Sequence, residues 1–200
     1  MIGYRIITAV TEEPVTLDEA KKHLRITEDT LSVETLEDAL ILSLITAARE
    51  YCEGFTRRAL AEQTFEAYLD RFPRGDRFEL PRPPLQSVTS LTYRDSSGTE
   101  TMMAENTDYL VDLESDVGQI ILPYGISWPS FTKYPVNPIK ARYTAGYSAT
   151  NEIPKSIKQA VLLLIGHWYA NREAASAESV SREIEFSVKA LLSPWKAGWF

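Results

Sequence analysis

One cysteine, Cys52, stands alone among 200 residues, so no intrachain disulfide can form. Its place on an apolar helix face reads as a small buried hydrophobe rather than a nucleophile. There are only 2 histidines, His23 and His167. Each falls on an expected helix, and neither has a second histidine or a cysteine at metal-ligand spacing. The 9 glycines are scattered, so no phosphate-cradling loop is present. No G-x-S-x-G nucleophile elbow occurs. The longest apolar run, Ala160 to Ile165, is far too short to cross a bilayer. The opening MIGYRIITAVTEEP lacks the apolar core of a signal peptide. Together these absences lead us to expect a soluble, intracellular chain that is not an enzyme, with no cofactor, metal or membrane partner.

Positive charge is missing in one place and negative charge in another. Between Arg25 and Arg49 there is no Lys or Arg, but there are Glu28, Asp29, Glu34, Glu37 and Asp38. After Glu185 there is no acid at all. The net charge of −7 divides as −5 over residues 1–62, −3 over 63–150 and +1 over 151–200. A strong nucleic-acid grip needs clustered cations to displace counterions, and this distribution argues against one. It is compatible with DNA passing nearby, because a conduit benefits from walls that do not bind. The basic groupings are Arg57-Arg58 and the series Arg71, Arg74, Arg77 and Arg82. Asp70, Asp76 and Glu79 interleave with that series, which makes it a mixed-charge surface.

What is present reads as helices flanking a β-rich insert. Thr16 and Glu19 form a capping box, and Leu17, Ala20 and Leu24 share a face, predicting a helix over about 17–25. The acidic stretch from Thr27 to Glu34 reads as a loop, and Thr35 as a cap for the next helix. Leu36, Leu40, Leu44 and Ala48, widened by Ile41, Ile45 and Cys52, predict a helix over about 36–53 with Gly54 as its stop. The period then changes to two. Phe65, Ala67 and Leu69 alternate with Glu66, Tyr68 and Asp70. Further strands are expected at 77–80, 85–94, 99–103, 109–112, 119–122 and 139–145. Val88 breaks the alternation of its strand, which predicts a bulge. Pro81-Arg82-Pro83-Pro84 forces an extended corner. Residues 123–138, with four prolines, predict a long irregular loop. Ile157, Val161, Leu164, Ile165 and Trp168 predict a third helix over about 154–172, with Asn151 as a nearby cap. Residues 173–185 are polar and alanine-rich and read as a linker.

The expected fold class is therefore α+β. Three main helices make a small core, an antiparallel β-sheet is inserted between the second and third, and a C-terminal arm extends from the whole. The expected domains are a helical core (1–62 with 151–173), a β-rich insertion (63–150), and a linker with a docking arm (174–200).

Three constellations carry functional expectations. The closing FSVKALLSPWKAGWF holds two of the 4 tryptophans, Trp195 and Trp199. Apolar ends rich in Trp must be buried somewhere, at home or on another subunit. The loop aromatics Tyr124, Trp128, Phe131 and Tyr134 have only Lys133 as a neighbouring cation. They form either an exposed contact surface or a cover for the sheet, and the first reading makes them a candidate contact loop. Asp112, Glu114 and Asp116 before Gly118 suggest a calcium loop, but Val117 intervenes and position twelve is Pro123. A solvated turn is the better reading. A small metal-dependent hydrolase using these acids is the remaining enzymatic alternative.

Several segments, in order, resemble the head–tail connector proteins of tailed phages and gene transfer agents. They are VTLDEAKKHLRI (Val15–Ile26), LITAAREYCEGFTRRAL (Leu44–Leu60), LPRPPLQSVTSLTYRD (Leu80–Asp95), IKARYTAGY (Ile139–Tyr147) and IPKSIKQAVLLLIGHWYANRE (Ile153–Glu173). The closing VKALLSPWKAGWF resembles the family's C-terminal arm, with Trp199 and Phe200 as a departure. The resemblance implies a homo-oligomeric ring, commonly dodecameric, beneath the portal protein. That ring would extend the DNA channel and present a platform to a downstream neck or tail-completion protein. It implies a virion location at the head–tail interface, with host cytoplasm as the place of assembly. Carried over, it gives portal contact to Leu191, Leu192, Pro194, Trp195, Trp199 and Phe200. The acidic Glu28, Asp29, Glu34, Glu37 and Asp38 become a candidate lumen or rim surface. A head-completion stopper or a tail-terminator ring is the alternative station.

Overall fold

A computed structural model of the chain describes residues 2–26, 34–148, 152–171 and 186–198, without the side chains of residues 34–36. The chain forms two compact units. One comprises Met1–Thr11 and Ala61–Tyr147, and the other Glu12–Leu60 and Ser148–Phe200.

The first unit is built of antiparallel strands. These are β1 (Gly3–Thr8), β2 (Gln63–Leu69), β3 (Arg77–Glu79), β4 (Leu85–Arg94), β5 (Glu100–Met103), β6 (Leu110–Asp112), β7 (Gln119–Ile121) and β8 (Ile139–Ala145). Five make a sheet in the order β1-β2-β8-β4-β5, and three make a smaller one in the order β3-β7-β6. Period-two alternation becomes a two-faced sheet through register. Tyr4, Ala67, Ala141, Leu91 and Met103 align across all five strands, and Ile6, Phe65, Tyr143 and Val88 across four. Phe65 stacks on Tyr143 at 5.6 Å between ring centroids on this apolar face. Burying each such side chain is worth about 1.5–3 kcal/mol. The opposite face carries Arg5, Glu66, Arg142 and Ser90 in one row. The bulge expected at Val88 is present, with register shifts at Leu85/Ser87 and Val88/Ser90.

Two glycines are required by close approach. A Cβ on Gly118 would lie 2.2 Å from the Leu85 Cβ. Gly146 has φ +117, and its Cβ would lie 2.0 Å from the Ala61 carbonyl oxygen. The proline corner is extended as expected, with a cis Pro83-Pro84 bond, and the Tyr143 hydroxyl donates to the Pro81 carbonyl at 2.8 Å.

β1 corrects the expected partition, which left residues 1–62 in a helical core. Gly3–Thr8 pairs with β2 instead, although Arg5-Ile6-Ile7 shows no clean alternation that would have marked it as a strand. All six of its residues are exposed, so burial imposed no pattern on them.

The second unit is helical: α1 (Leu17–Leu24), α2 (Glu34–Thr56) and α3 (Lys155–Ala170), each touching the other two. The capping box of α1 is complete. The Glu19 N–H donates to Thr16 Oγ1 at 3.2 Å, and the Thr16 N–H to Glu19 Oε2 at 3.0 Å. Lys158 reaches the same carboxylate at 2.6 Å. Gly54 does not stop α2. The helix continues to Thr56 and ends where Arg57 turns left-handed at φ 59. No neighbour crowds Gly54, so the helix passes through it. The α2 stripe centres on Ile41, Ile45, Ala48 and Cys52, all fully buried, with Leu40 and Leu44 half-buried at its side. Ile157, Val161 and Ile165 of α3 and Ala20 of α1 are also fully buried. Asn151, expected as a cap, lies outside the described residues, and Pro154 is the residue before α3.

One charged group is built into this unit. Arg49 pairs with Glu13 and Glu53, both at 2.8 Å, and the second oxygen of Glu53 accepts the Leu60 N–H at 2.9 Å. Burial, with Glu53 beside it, pushes the Cys52 thiol up to about 12 and leaves it unreactive.

Candidate docking surfaces

The C-terminal segment starts with helical residues 186–192 and continues as a 3-10 turn, Ser193–Trp195. Val188 and Leu192, four apart on one helical face, are fully buried, and Ala197 is buried beyond them. Polar bonds fasten the same stretch. The Arg58 guanidinium donates to the Trp195 carbonyl at 2.6 Å, the Ala197 N–H to the Thr56 carbonyl at 2.8 Å, and the Trp195 indole N–H to Ser156 Oγ at 2.7 Å. The Lys196 ammonium sits 5.8 Å from the centre of the Phe55 ring.

Leu192 therefore corrects the expectation that placed it in contact with a partner. Its side chain fills the core of its own unit, because the i, i+4 spacing with Val188 makes an inward stripe. Leu191 and Trp195 are half-buried, and Pro194 is exposed. Phe186, not singled out from the sequence, is 75% exposed. Trp199 and Phe200 lie outside the described residues, as does the linker 173–185.

The loop aromatics separate into two kinds. Trp128 stacks on Phe72 at 4.7 Å and donates its indole N–H to the Gly75 carbonyl at 2.8 Å. Phe131 packs on Tyr93 at 4.6 Å, and Arg94 lies 5.0 Å above the Tyr134 ring. These three cover the sheet. Tyr124 is fully exposed. It occupies the tip of a turn in which the Ile126 N–H donates to the Pro123 carbonyl and Gly125 takes φ +79. The loop is thus stapled at Trp128 and presents Tyr124 to solvent, with Ile126 beside it.

Of the acidic candidates, Glu28 and Asp29 lie outside the described residues, and the Glu34 side chain is not described. Glu37 accepts the Tyr169 hydroxyl at 2.8 Å, and Asp38 pairs with Lys21 at 2.7 Å. Both hold neighbouring helices together. Asp112 caps its own turn by accepting the N–H groups of Glu114 and Ser115 and the Ser115 hydroxyl. Those bonds, led by the hydroxyl, hold its carboxyl below the usual range. Among the described residues no group of three or more His, Cys, Asp or Glu is placed to hold a metal ion.

Two surfaces of the first unit were invisible in the sequence. One is the polar face of the five-stranded sheet. Arg5, Arg142 and Tyr68 all donate to Glu66, whose side chain is 7% exposed. Lys140, Arg94 and Thr92 similarly converge on Glu100. Strand register assembles these charges from positions up to 137 residues apart. The other is a pocket of about 480 Å³ lined by Ile2, Leu69, Phe72, Pro73 and Phe78, with Asp70, Arg71, Arg74 and Lys133 also on its wall.

Neither surface offers a nucleophile with a base, or a phosphate cradle. Residues 13–190 match the sequence model of a family described as head completion protein.

The chain belongs to the head completion protein family.

The resemblance to head–tail connectors read from its segments stands with that match. No curated protein matches this chain. Three solved chains are similar over almost their whole length. One, from the neck of an empty GTA particle computed with C6 symmetry, is 28% identical, with a TM-score of 0.81 over 99% of this chain and 97% of that one. A second, from the virion of a native gene transfer agent (GTA) particle, is 28% identical, with a TM-score of 0.77 over 98% and 96%. A third, from the neck of a native GTA particle computed with C12 symmetry, is 27% identical, with a TM-score of 0.75 over 99% and 97%.

Proposed function

We propose that this head completion protein is a structural, non-catalytic head–tail adaptor. It forms a ring under the portal, extends the DNA channel and supplies a platform for the next neck or tail protein. The observation that carries this reading is similarity along the full chain to proteins of particle necks treated with C6 and C12 symmetry. A ring of identical protomers closes through heterologous contacts, one surface of each copy meeting a different surface of the next.

In this reading the C-terminal segment is a portal-docking element whose base is anchored at home. Leu192 and Val188 hold it in place. Leu191, Pro194 and the open side of Trp195 then present toward the portal, and Trp199 and Phe200 follow. Anchoring the base lowers the ordering cost that a loose arm would carry on binding. Many arms on one ring add strength through effective concentration. Tyr124 is the candidate contact for the downstream neck protein, and the acidic stretch around Glu28 and Asp29 is the candidate rim of the DNA path, where like charge keeps DNA mobile.

The test is electron microscopy of the protein mixed with its portal, with a pull-down on portal and on tail tube as separate baits. An adaptor is captured by portal and forms a ring on it. A variant lacking residues 199–200 and carrying Pro194→Glu keeps its fold and loses portal capture. Capture by tail tube alone would move the protein to the terminator station.

A further inference from the structure

We infer that the cationic pocket of the first unit receives the turn between β6 and β7 of a second copy of this chain, with Leu113 in its apolar well and Glu114 on its arginines. The inference rests on the ring reading, since it names a contact by which one protomer takes hold of the next.

The acceptor is built around the link from β2 to β3. Leu69, Phe72 and Phe78 supply apolar wall, and Arg71, Arg74 and Lys133 supply positive charge. At about 480 Å³ the pocket falls within the size range of ligand sites. Its walls are held in place, because Phe72 stacks on Trp128 at 4.7 Å and Lys133 donates to the Asp70 carbonyl at 3.0 Å. Asp70 is the only acid on the wall. Arg71 and Arg74 are exposed and enter no ion pair among the described residues. In a protein of net charge −7, an apolar well beside two such guanidinium groups selects an apolar side chain with a carboxylate next to it.

The β6–β7 turn carries that combination. Of the large hydrophobic side chains exposed among the described residues, Leu113 alone has an acid on each side of it in the chain. It is 47% exposed. Glu114 beside it is also exposed, and its side chain enters no ion pair among the described residues. The other neighbour, Asp112, builds the turn. It accepts the N–H groups of Glu114 and Ser115 at 2.9 and 3.2 Å, and the Ser115 hydroxyl as well. A knob already held in shape gives up little freedom on docking.

The knob cannot fill its own hole. Arg77, Ile121 and Leu110 align at one end of the three-stranded sheet, and Glu79, Gln119 and Asp112 at the other. Arg71 and Arg74 precede β3 at the first end, and Leu113 follows β6 at the second. Leu113 is accordingly not part of the pocket wall. Donor and acceptor are different surfaces, so the contact is head-to-tail and passes from copy to copy until the ring closes. Burial of Leu113 gives affinity, and Glu114 between two arginines gives register.

The experiment uses the full-length protein. It follows self-association by light scattering and ring formation on portal by electron microscopy. Every substituted side chain is exposed, so circular dichroism should show an unchanged fold. Glu114→Arg weakens association by about tenfold or more, and so does Arg71→Glu with Arg74→Glu. Leu113→Ser does the same. An equal mixture of the Glu114→Arg protein with the Arg71→Glu, Arg74→Glu protein recovers most of the loss. In the mixture each altered turn meets an altered pocket, and each wild-type turn meets a wild-type pocket. Wild-type association weakens as salt rises from about 50 to about 500 mM. No recovery in the mixture overturns the inference, because turn and pocket then do not face each other across protomers. Rings that form undiminished in every variant overturn this contact and leave the adaptor reading standing. Variants that form normal rings but lose the downstream neck protein also overturn it, because these groups then serve that partner. A wild type that forms no ring even on portal overturns the adaptor reading, and this contact with it.

Discussion

Glu66 keeps its charge inside the sheet face because three donors converge on it. Burial raises its proton affinity, and the bonds from Tyr68, Arg142 and Arg5 together outweigh that and hold its carboxyl below the usual glutamate range. A carboxyl depressed by folding contributes stability that is present above its unfolded-state value and is lost as pH falls through its folded value. Glu66→Gln should therefore lower stability at pH 7 by about 2 kcal/mol, the scale of hydrogen bonds to a charged group. The difference from wild type should shrink as pH falls below the ordinary glutamate range, which urea unfolding across pH would measure. The glycines divide at the same scale. Gly118→Ala meets Leu85, and Gly146→Ala meets the Ala61 carbonyl from a left-handed backbone, so each should cost about 2 kcal/mol or more. Gly54→Ala, in open space on a helix, should instead stabilise by about 0.5–1 kcal/mol. Thermal melts of the three variants check both signs together.

Among elements, the C-terminal segment shows how one stretch can serve two masters. Its inward stripe, Val188 and Leu192, belongs to the unit it folds with, while Phe186 and Pro194 face away. Leu192→Ala should remove about 2–5 kcal/mol of packing at that site. Hydrogen exchange should then speed at Ala197, whose amide bonds Thr56, before it speeds in the interior of α2. The amphipathic character of this segment was legible in its residues, but which side it kept for itself was not. That choice depends on Thr56, Arg58 and Ser156, which come close only in the folded chain. β1 is the opposite case. Fully exposed, it carries no periodic signal, so only its pairing with β2 reveals it. Arg49 ties α2 to Glu13 through a pair of which it is the nearly buried member. Arg49→Met removes the cation between Glu13 and Glu53 and should cost about 3 kcal/mol in urea unfolding.

At the scale of the whole molecule, the consequences concern assembly. A ring on the portal with soluble smaller species in its absence is the expected outcome of light scattering at rising protein concentration. Salt should weaken self-association if charged surfaces hold protomers together. The order of helices and insert could be read from period alone, since a 3.6-residue stripe and a two-residue alternation are local properties. So could the capping box and the bulge at Val88. Of the site candidates, the sequence singled out the C-terminal segment and the aromatic loop. It could not say that Trp128, Phe131 and Tyr134 turn inward while Tyr124 turns out, because that depends on Phe72, Tyr93 and Arg94 reaching them from elsewhere.

The residues by themselves determined the kinds and order of the elements after β1, the single unreactive cysteine and the family resemblance, because each of these rests on neighbours in the chain. Tertiary structure decided which surfaces remain for other molecules. The charged sheet face and the cationic pocket are made from residues far apart in sequence. Only strand register and side-chain packing bring such residues together, and burial then removes Leu192 from the set available to partners.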